Sequence, residues 1–372
     1  MPERTMLGRT MLGRTKMLKR MGMQWPIIQA PMAGVSTPRL AAEVSKAGGL
    51  GSIGVGATDA DGARRMITEL QALTDRTFNV NVFVHPTPTH DAARESAWRE
   101  WLTPHFQAFE ATPPARLDTL YTSVADDPDM QAMLLETRPP VVSFHFGLPS
   151  RDFIRALKEA GIWLMATATH PEEARAIERA GLDAIVAQGF EAGGHRGMFD
   201  PKAADTQLST AVLTRQLVDA THLPIIAAGG IMNGEAIAAA LANGAVAAQL
   251  GTAFIACPES SADAAYRDAL AGPAAHDTRM TSIVSGRPAR ILANRFVSLM
   301  EDPSCPAPPD YPLTYAAGKA LNAAARSQGD TGFGAQWAGQ GAPLARAMPA
   351  GELMAILGKE YRMACRAMSL RR

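Results

Sequence analysis

Pro224-Ile-Ile-Ala-Ala-Gly-Gly-Ile-Met-Asn-Gly234 is followed, after an alanine-rich stretch, by Ala245-Val-Ala-Ala-Gln-Leu-Gly-Thr252. Each segment is a short apolar run that stops on glycine. A run that is apolar throughout, rather than at alternate positions, reads as a strand covered on both faces in a parallel sheet. The alanine-rich stretch between them reads as a helix. Together they form a strand–loop–helix–strand unit.

The same beat runs outward towards the N-terminus. Ala184-Ile-Val-Ala-Gln188 is another such strand, and Ile162–Thr167, Pro140–Phe146, Phe78–Val84, Leu50–Val55 and Pro26–Pro31 precede it. Amphipathic helical stretches separate them, including one over Pro38–Lys46 with Thr37 as N-cap and proline at its first position. Eight such units predict an α/β fold, a (β/α)8 TIM barrel. A doubly wound open sheet is the alternative, but the first unit lacks the G-x-G-x-x-G turn common in dinucleotide-binding sheets. Residues 86–138 are too long for an ordinary connection and read as an insertion. Beyond Cys257 the pattern becomes helical, over Ala262–Leu270, Pro312–Arg326 and Leu353–Met368. The expected organisation is a barrel over 23–85 and 139–275, with 86–138 and 276–372 forming a helical cap.

Composition narrows the class. The chain has 372 residues, 47 % of them apolar, enough for a sizeable core. Lysine plus arginine equals aspartate plus glutamate at 36 each, so nothing in the charge supports a nucleic-acid or membrane partner. Three cysteines without metal-ligand spacing suit a reduced, cytoplasmic setting. No metal is expected: His85 and His90 stand beside prolines, outside any zinc or iron pattern. No G-x-S-x-G elbow supports a serine hydrolase. The N-terminus repeats Arg4-Thr-Met-Leu-Gly8 as Arg9-Thr-Met-Leu-Gly13. Residues 1–22 are expected to be a disordered or mis-assigned tail, with an amphipathic targeting segment as the weaker reading.

A barrel of this kind builds its active site at the carboxyl ends of its strands. That rule selects Met32 after the first strand, Asn81 on the third, His145 on the fourth and Gln188 ending the sixth. The loop Gly189-Phe-Glu-Ala-Gly-Gly-His-Arg-Gly197 follows, with His195 able to move a proton near neutral pH. Loops after the seventh and eighth strands often hold phosphate, and here they supply Gly229, Gly230, Gly251 and Thr252. The plain structural account of Gly229-Gly230 is a tight turn into a helix capped by Asn233. Both loops together point to a phosphate-bearing cofactor. Flavin mononucleotide would place its ring near Met32, Asn81, Gln188 and His195.

Several motifs then resemble one family. They are Gln29-Ala-Pro-Met-Ala-Gly-Val-Ser-Thr-Pro38, Ala47-Gly-Gly-Leu-Gly51, Ser143-Phe-His-Phe-Gly-Leu-Pro149, Gly189–Gly197, Tyr311-Pro-Leu-Thr-Tyr-Ala-Ala-Gly-Lys319 and Gln336-Trp-Ala-Gly-Gln340. In order, over Trp25 to Arg346, they are similar to class I nitronate monooxygenases, formerly called 2-nitropropane dioxygenases. The resemblance implies an FMN enzyme that detoxifies alkyl nitronates, propionate 3-nitronate above all, with dioxygen. The products would be a carbonyl compound and nitrite or nitrate.

It also implies flavin contacts from Asn81, Gln188, Gly193, Gly230, Gln249, Leu250, Gly251 and Thr252; by position at the strand ends and in the loops, Met32, Gly194 and Gly229 are expected to join them. His195 matches the family's active-site histidine, while Met32, Tyr121, His145, Tyr266, Tyr311, Tyr315 and Lys319 match the substrate side of its pocket. Protonated His195, Lys319 and the tyrosine hydroxyls are expected to bind the nitronate anion. His195 as general base is the alternative, required if neutral nitroalkanes react. Two other functions remain open: an NAD(P)H-dependent FMN quinone or enoyl-thioester reductase, and a flavin-binding module without turnover. The oligomeric state is open.

Overall fold

The computed structural model describes residues 2–370, with side chains from residue 10 onward except Met11. Strands β1 (Ile27–Gln29), β2 (Gly51–Gly54), β3 (Phe78–Phe83), β4 (Val141–His145), β5 (Trp163–Ala168) and β6 (Ala184–Gln188) fall where the apolar runs predict them. A two-residue strand, β7 (Gly194–His195), lies in the glycine-rich loop, so the seventh and eighth barrel strands are β8 (Ile225–Ala228) and β9 (Ala247–Leu250). All eight barrel strands run parallel in the order β1-β9-β8-β6-β5-β4-β3-β2. A parallel bridge between Ile28 and Leu50 closes β1 onto β2. The result is a (β/α)8 barrel, as the strand pattern predicts.

The strands are buried along nearly their whole length. One of their faces packs on the helices, as in the cluster of Ile53, Val80, Phe144, Ile185 and Leu213. Burying each such aliphatic side chain stabilises the fold by roughly 1.5–3 kcal/mol. Helix starts follow the sequence signals: the Thr37 side chain accepts from the Leu40 N–H at 3.0 Å, with Pro38 at the first position.

Three expectations differ from the structure. First, residues 2–21 form a helix, Pro2–Met21, rather than a disordered tail. Its Met17 and Met21 are buried with Met23 against Ile28, Val141, Met165, Val186 and Ile226 at the amino end of the barrel. The tail reads as polar because only two side chains of its last turns, Met17 and Met21, are needed to plug that end. The side chains of the first repeat copy lie outside the described residues.

Second, the 86–138 segment is divided. Its helix Ala92–Gln107 belongs to the cap, whereas Pro128–Thr137 packs against the helices Ala60–Leu73 and Arg151–Glu159. That second helix is the ordinary barrel helix between β3 and β4.

Third, the final helix, Ala350–Ser369, lies on the outer wall, not on the cap. Leu353, Met354 and Leu357 pack among Leu40, Val44, Ile237 and Leu241. The cap itself joins the insertion to the C-terminal region through Trp98, Leu102, Phe106, Phe296, Leu313, Leu321 and Phe333.

Candidate active site

The carboxyl ends of the barrel strands open into a cleft of about 690 Å³. It is lined by Met32, Asn81, Tyr121, His145, Gln188, Gly193, Gly194, His195, Gly229, Gly230, Gln249, Gly251, Thr252, Tyr266, Tyr311, Tyr315 and Lys319. Of the residues selected from sequence, only Leu250 is absent. The parallel pairing explains it: alternate residues of β9 face opposite ways, and Leu250 points into the apolar cluster with Ile27 and Phe254. Its carbonyl accepts from the Ala30 N–H at 2.8 Å, which joins the ends of β9 and β1.

His195 is held from every side. Its backbone, as part of β7, pairs with Ala289 of β11 (Ala289–Leu292), which pairs in turn with β10 (Thr278–Thr281). Its carbonyl accepts from the Gln188 side-chain amide at 2.8 Å and from His145 Nε2 at 3.2 Å. Gln188 Oε1 then accepts from the Gly197 N–H at 2.8 Å. The polar atoms of Gln188 are thus occupied in shaping the loop. His145 is occupied too, because its Nδ1 meets the Thr167 hydroxyl at 2.9 Å.

Buried Arg196 completes the loop. Its guanidinium forms an ion pair with Asp205 at 2.8 Å and donates to the Gln188 carbonyl at 2.9 Å. Removing one partner of such a pair would leave a buried charge uncompensated.

The imidazole of His195 has a defined hydrogen-bond partner that sequence reasoning missed. Its Nε2 lies 3.0 Å from Ser285 Oγ, and the Ser285 hydroxyl donates to the Arg287 carbonyl at 3.1 Å. The hydroxyl proton being used there, Ser285 Oγ accepts and Nε2 carries the hydrogen. The lone pair therefore sits on Nδ1. Four rings crowd the imidazole: Trp337 at 5.0 Å, Phe146 at 5.5 Å, Tyr311 at 5.6 Å and Tyr315 at 6.0 Å. Only tertiary packing brings Ser285 there, and it belongs to no chemistry-bearing pattern in the sequence, whereas Phe146 follows His145 within the Ser143–Pro149 motif.

Burial in this aromatic box lowers the His195 pKa to about 3, helped by the neighbouring His145 and by Arg287. Burial likewise lowers His145 to about 4. Both shifts favour the neutral imidazole, whereas the sequence reading expects a protonated His195. The tyrosines differ among themselves. Tyr311 turns a buried hydroxyl away from solvent with no hydrogen-bond partner, and the Tyr266 hydroxyl is bonded to the Trp337 carbonyl. Burial raises the pKa of Tyr266, Tyr311 and Tyr315, so all three remain protonated. Lys319 reaches the cleft with its ammonium 4.9 Å from the centre of the Tyr121 ring and 5.9 Å from that of Tyr315.

The opposite wall suits a phosphate-bearing cofactor. Gly229 and Gly230 take φ values of +126° and +67°, which side chains disfavour, and a Cβ on Gly229 would lie 2.6 Å from Thr210 Oγ1. Gln249 Oε1 is buried without a hydrogen-bond partner, an acceptor left for a donor that the protein itself does not supply. The Gly339 N–H donates to Thr252 Oγ1 at 3.0 Å, bringing the strap Gln336-Trp-Ala-Gly-Gln340 over this wall. The helix Gly234–Ala242 takes no part. Asn233 caps it, as the plain structural account holds, and Glu360 accepts from the Gly234 N–H at 2.8 Å. Among the described residues no three His, Cys, Asp or Glu side chains are placed to hold a metal, and no helix is long and apolar enough to cross a membrane.

Known proteins share this architecture over nearly its whole length. The family model described as nitronate monooxygenase matches residues 14–360. A nitronate monooxygenase of Paraburkholderia phytofirmans is 60 % identical over 346 residues, 93 % of this chain and 94 % of that one. One from Pseudomonas aeruginosa is 54 % identical, covering 92 % of this chain and 97 % of its own. The solved structure of a nitroalkane oxidase from Streptomyces ansochromogenes superposes with a TM-score of 0.85 at 42 % identity, covering 93 % and 98 % of the two chains. The barrel, the cleft and these similarities agree, and the chain belongs to the nitronate monooxygenase family, an oxidoreductase family.

Proposed function

We propose that this protein binds flavin mononucleotide in the cleft and oxidises alkyl nitronates, propionate 3-nitronate foremost, with dioxygen. The products are a carbonyl compound and nitrogen oxyanions. The observation that carries this reading is the convergence, in one cleft, of the glycine wall around the orphaned Gln249 acceptor with neutral His195 and cationic Lys319. Gly229, Gly230, Gly251 and Thr252 would hold the phosphate, while Met32, Asn81, Gly193, Gly194 and Gln249 would line the ring system. The flavin, when bound, supplies the electron acceptance and the dioxygen chemistry.

The protein's own groups bind and orient. Lys319 balances the charge of the nitronate or of its carboxylate from the exposed side of the cleft. His195 presents the Nδ1 lone pair. It therefore acts as a hydrogen-bond acceptor or as a base towards a neutral nitroalkane, not as a cationic donor.

The experiment is to add propionate 3-nitronate to the purified protein under air while recording its absorbance, with nitrite assayed afterwards. Flavin-type absorbance and nitrite formation are expected. Bleaching by NADH or NADPH without nitronate would instead indicate a reductase. In His195→Asn, turnover of neutral nitroalkanes should fall by roughly 10²–10⁴-fold while nitronate turnover persists. Equal loss of both would assign His195 to anion binding, and no change in either would remove it from the mechanism.

A further inference from the structure

Arg287 lies behind the cleft, 2 % exposed, and forms no ion pair among the described residues. Its guanidinium donates to the Met198 carbonyl, its Nε has no hydrogen-bond partner, and it stacks 4.1 Å from the centre of the Phe146 ring. An unpaired buried charge is costly, and proteins rarely keep one without use for it. Two carboxylates, Glu173 and Asp200, act on Arg287 from beyond ion-pair distance and offset its charge only in part. Glu173 accepts from Thr169 and from the Phe199 N–H at 2.8 Å, and exposed Asp200 accepts from the Lys202 N–H at 2.8 Å. The other ionisable groups that feel Arg287 are His85, His145, His195 and Tyr311. None of them cancels a positive charge.

Phe146 links this charge to the cleft. It is one of few non-glycine residues with a left-handed backbone, φ +79°, adopted directly after His145. Its ring touches both sides of this arrangement, 4.1 Å from the guanidinium, 4.5 Å from the centre of His145 and 5.5 Å from that of His195. We infer that Arg287 is the resident counter-charge of the cleft, a positioning residue that favours anionic over neutral substrates without touching them.

An apolar ring screens little, and the guanidinium lies within about 10 Å of the His195 ring. At an effective dielectric near 20, this charge would change an anion's affinity by roughly tenfold. Lys319 is exposed and its contribution is screened by salt. Arg287 supplies a field that bulk ions reach poorly.

The inference rests on the reading of the substrate as a nitronate, but its test does not. Binding of sodium nitrate, a planar oxyanion, is measured by calorimetry on the purified protein and on Arg287→Met and Arg287→Lys. Arg287→Met should weaken nitrate binding by roughly tenfold, and Arg287→Lys should hold it within about threefold of the starting protein. Thermal melting supplies the second readout. Removing an unpaired buried charge should leave the melting temperature unchanged or higher, whereas a purely structural arginine would lower it. In turnover, the KM for nitronate should rise with little change in kcat. Nitrate binding with the same affinity in Arg287→Met, equal loss in both variants, or failure of Arg287→Met and Arg287→Gln to fold would each overturn the inference. If nitronate is not turned over but nitrate binding follows the charge, the substrate reading fails and the counter-charge stands.

Discussion

His195 and His145 show how surroundings change what a residue type can do. A histidine in a glycine-rich loop invites assignment as a cation near neutral pH, yet here burial, first, and Arg287 depress both imidazoles, to about 3 and about 4. The sign of the consequence for stability is fixed. The unfolded chain takes up protons around the ordinary histidine value of 6.5, and the folded chain does so only near 4 and 3. The stability contributed by these neutral groups is complete above pH 6.5 and is lost as pH falls towards those values. Urea unfolding between pH 7 and pH 4 should show falling stability, and His145→Asn should flatten that dependence. The pH profile of kcat/KM for a neutral nitroalkane should correspondingly lack a limb near 6.5. Ser285 matters at this scale because it leaves the lone pair on Nδ1.

Among elements, the active cleft is an interlock of loops from distant parts of the chain. The loop after β6 lies against the Gln336–Gln340 strap, close enough for a Cβ on Gly193 to fall 2.5 Å from the Gly339 nitrogen and 2.6 Å from the Ala338 carbonyl carbon. Both contacts are with backbone, so neither can swing aside. Gly193→Ala should therefore push the strap away, costing about 1–3 kcal/mol, and should weaken cofactor retention. A thermal melt together with flavin content after gel filtration would check both. Helices Pro38–Lys46 and Gly234–Ala242 illustrate the opposite case, in which local signals suffice. Thr37 and Asn233 cap them as their sequences indicate, because a cap depends on residues three positions away rather than on the fold.

For the whole molecule, the barrel is closed at its two ends by different parts of the chain. At the amino end, Met17 and Met21 fill the space inside the strands. Met21→Ala should lower stability by about 2–5 kcal/mol without altering the cleft at the opposite end, measurable as a shifted denaturation midpoint with unchanged KM.

The sequence by itself determined the eight-stranded barrel, the side on which the site lies and all but one of the residues selected to line it. Buried parallel strands and their glycine-ended loops are written in consecutive residues, and the strand-end rule places the site. Only the tertiary structure decided the neutral state of His195, the occupation of Gln188 and His145 in holding its backbone, and the burial of Arg287. It also decided that Pro128–Thr137 and Ala350–Ser369 belong to the barrel wall and that Pro2–Met21 forms its plug. Charge state and hydrogen-bond commitment depend on groups far away along the chain, such as Ser285, 90 positions from His195. Spacing along the chain carries no record of those encounters.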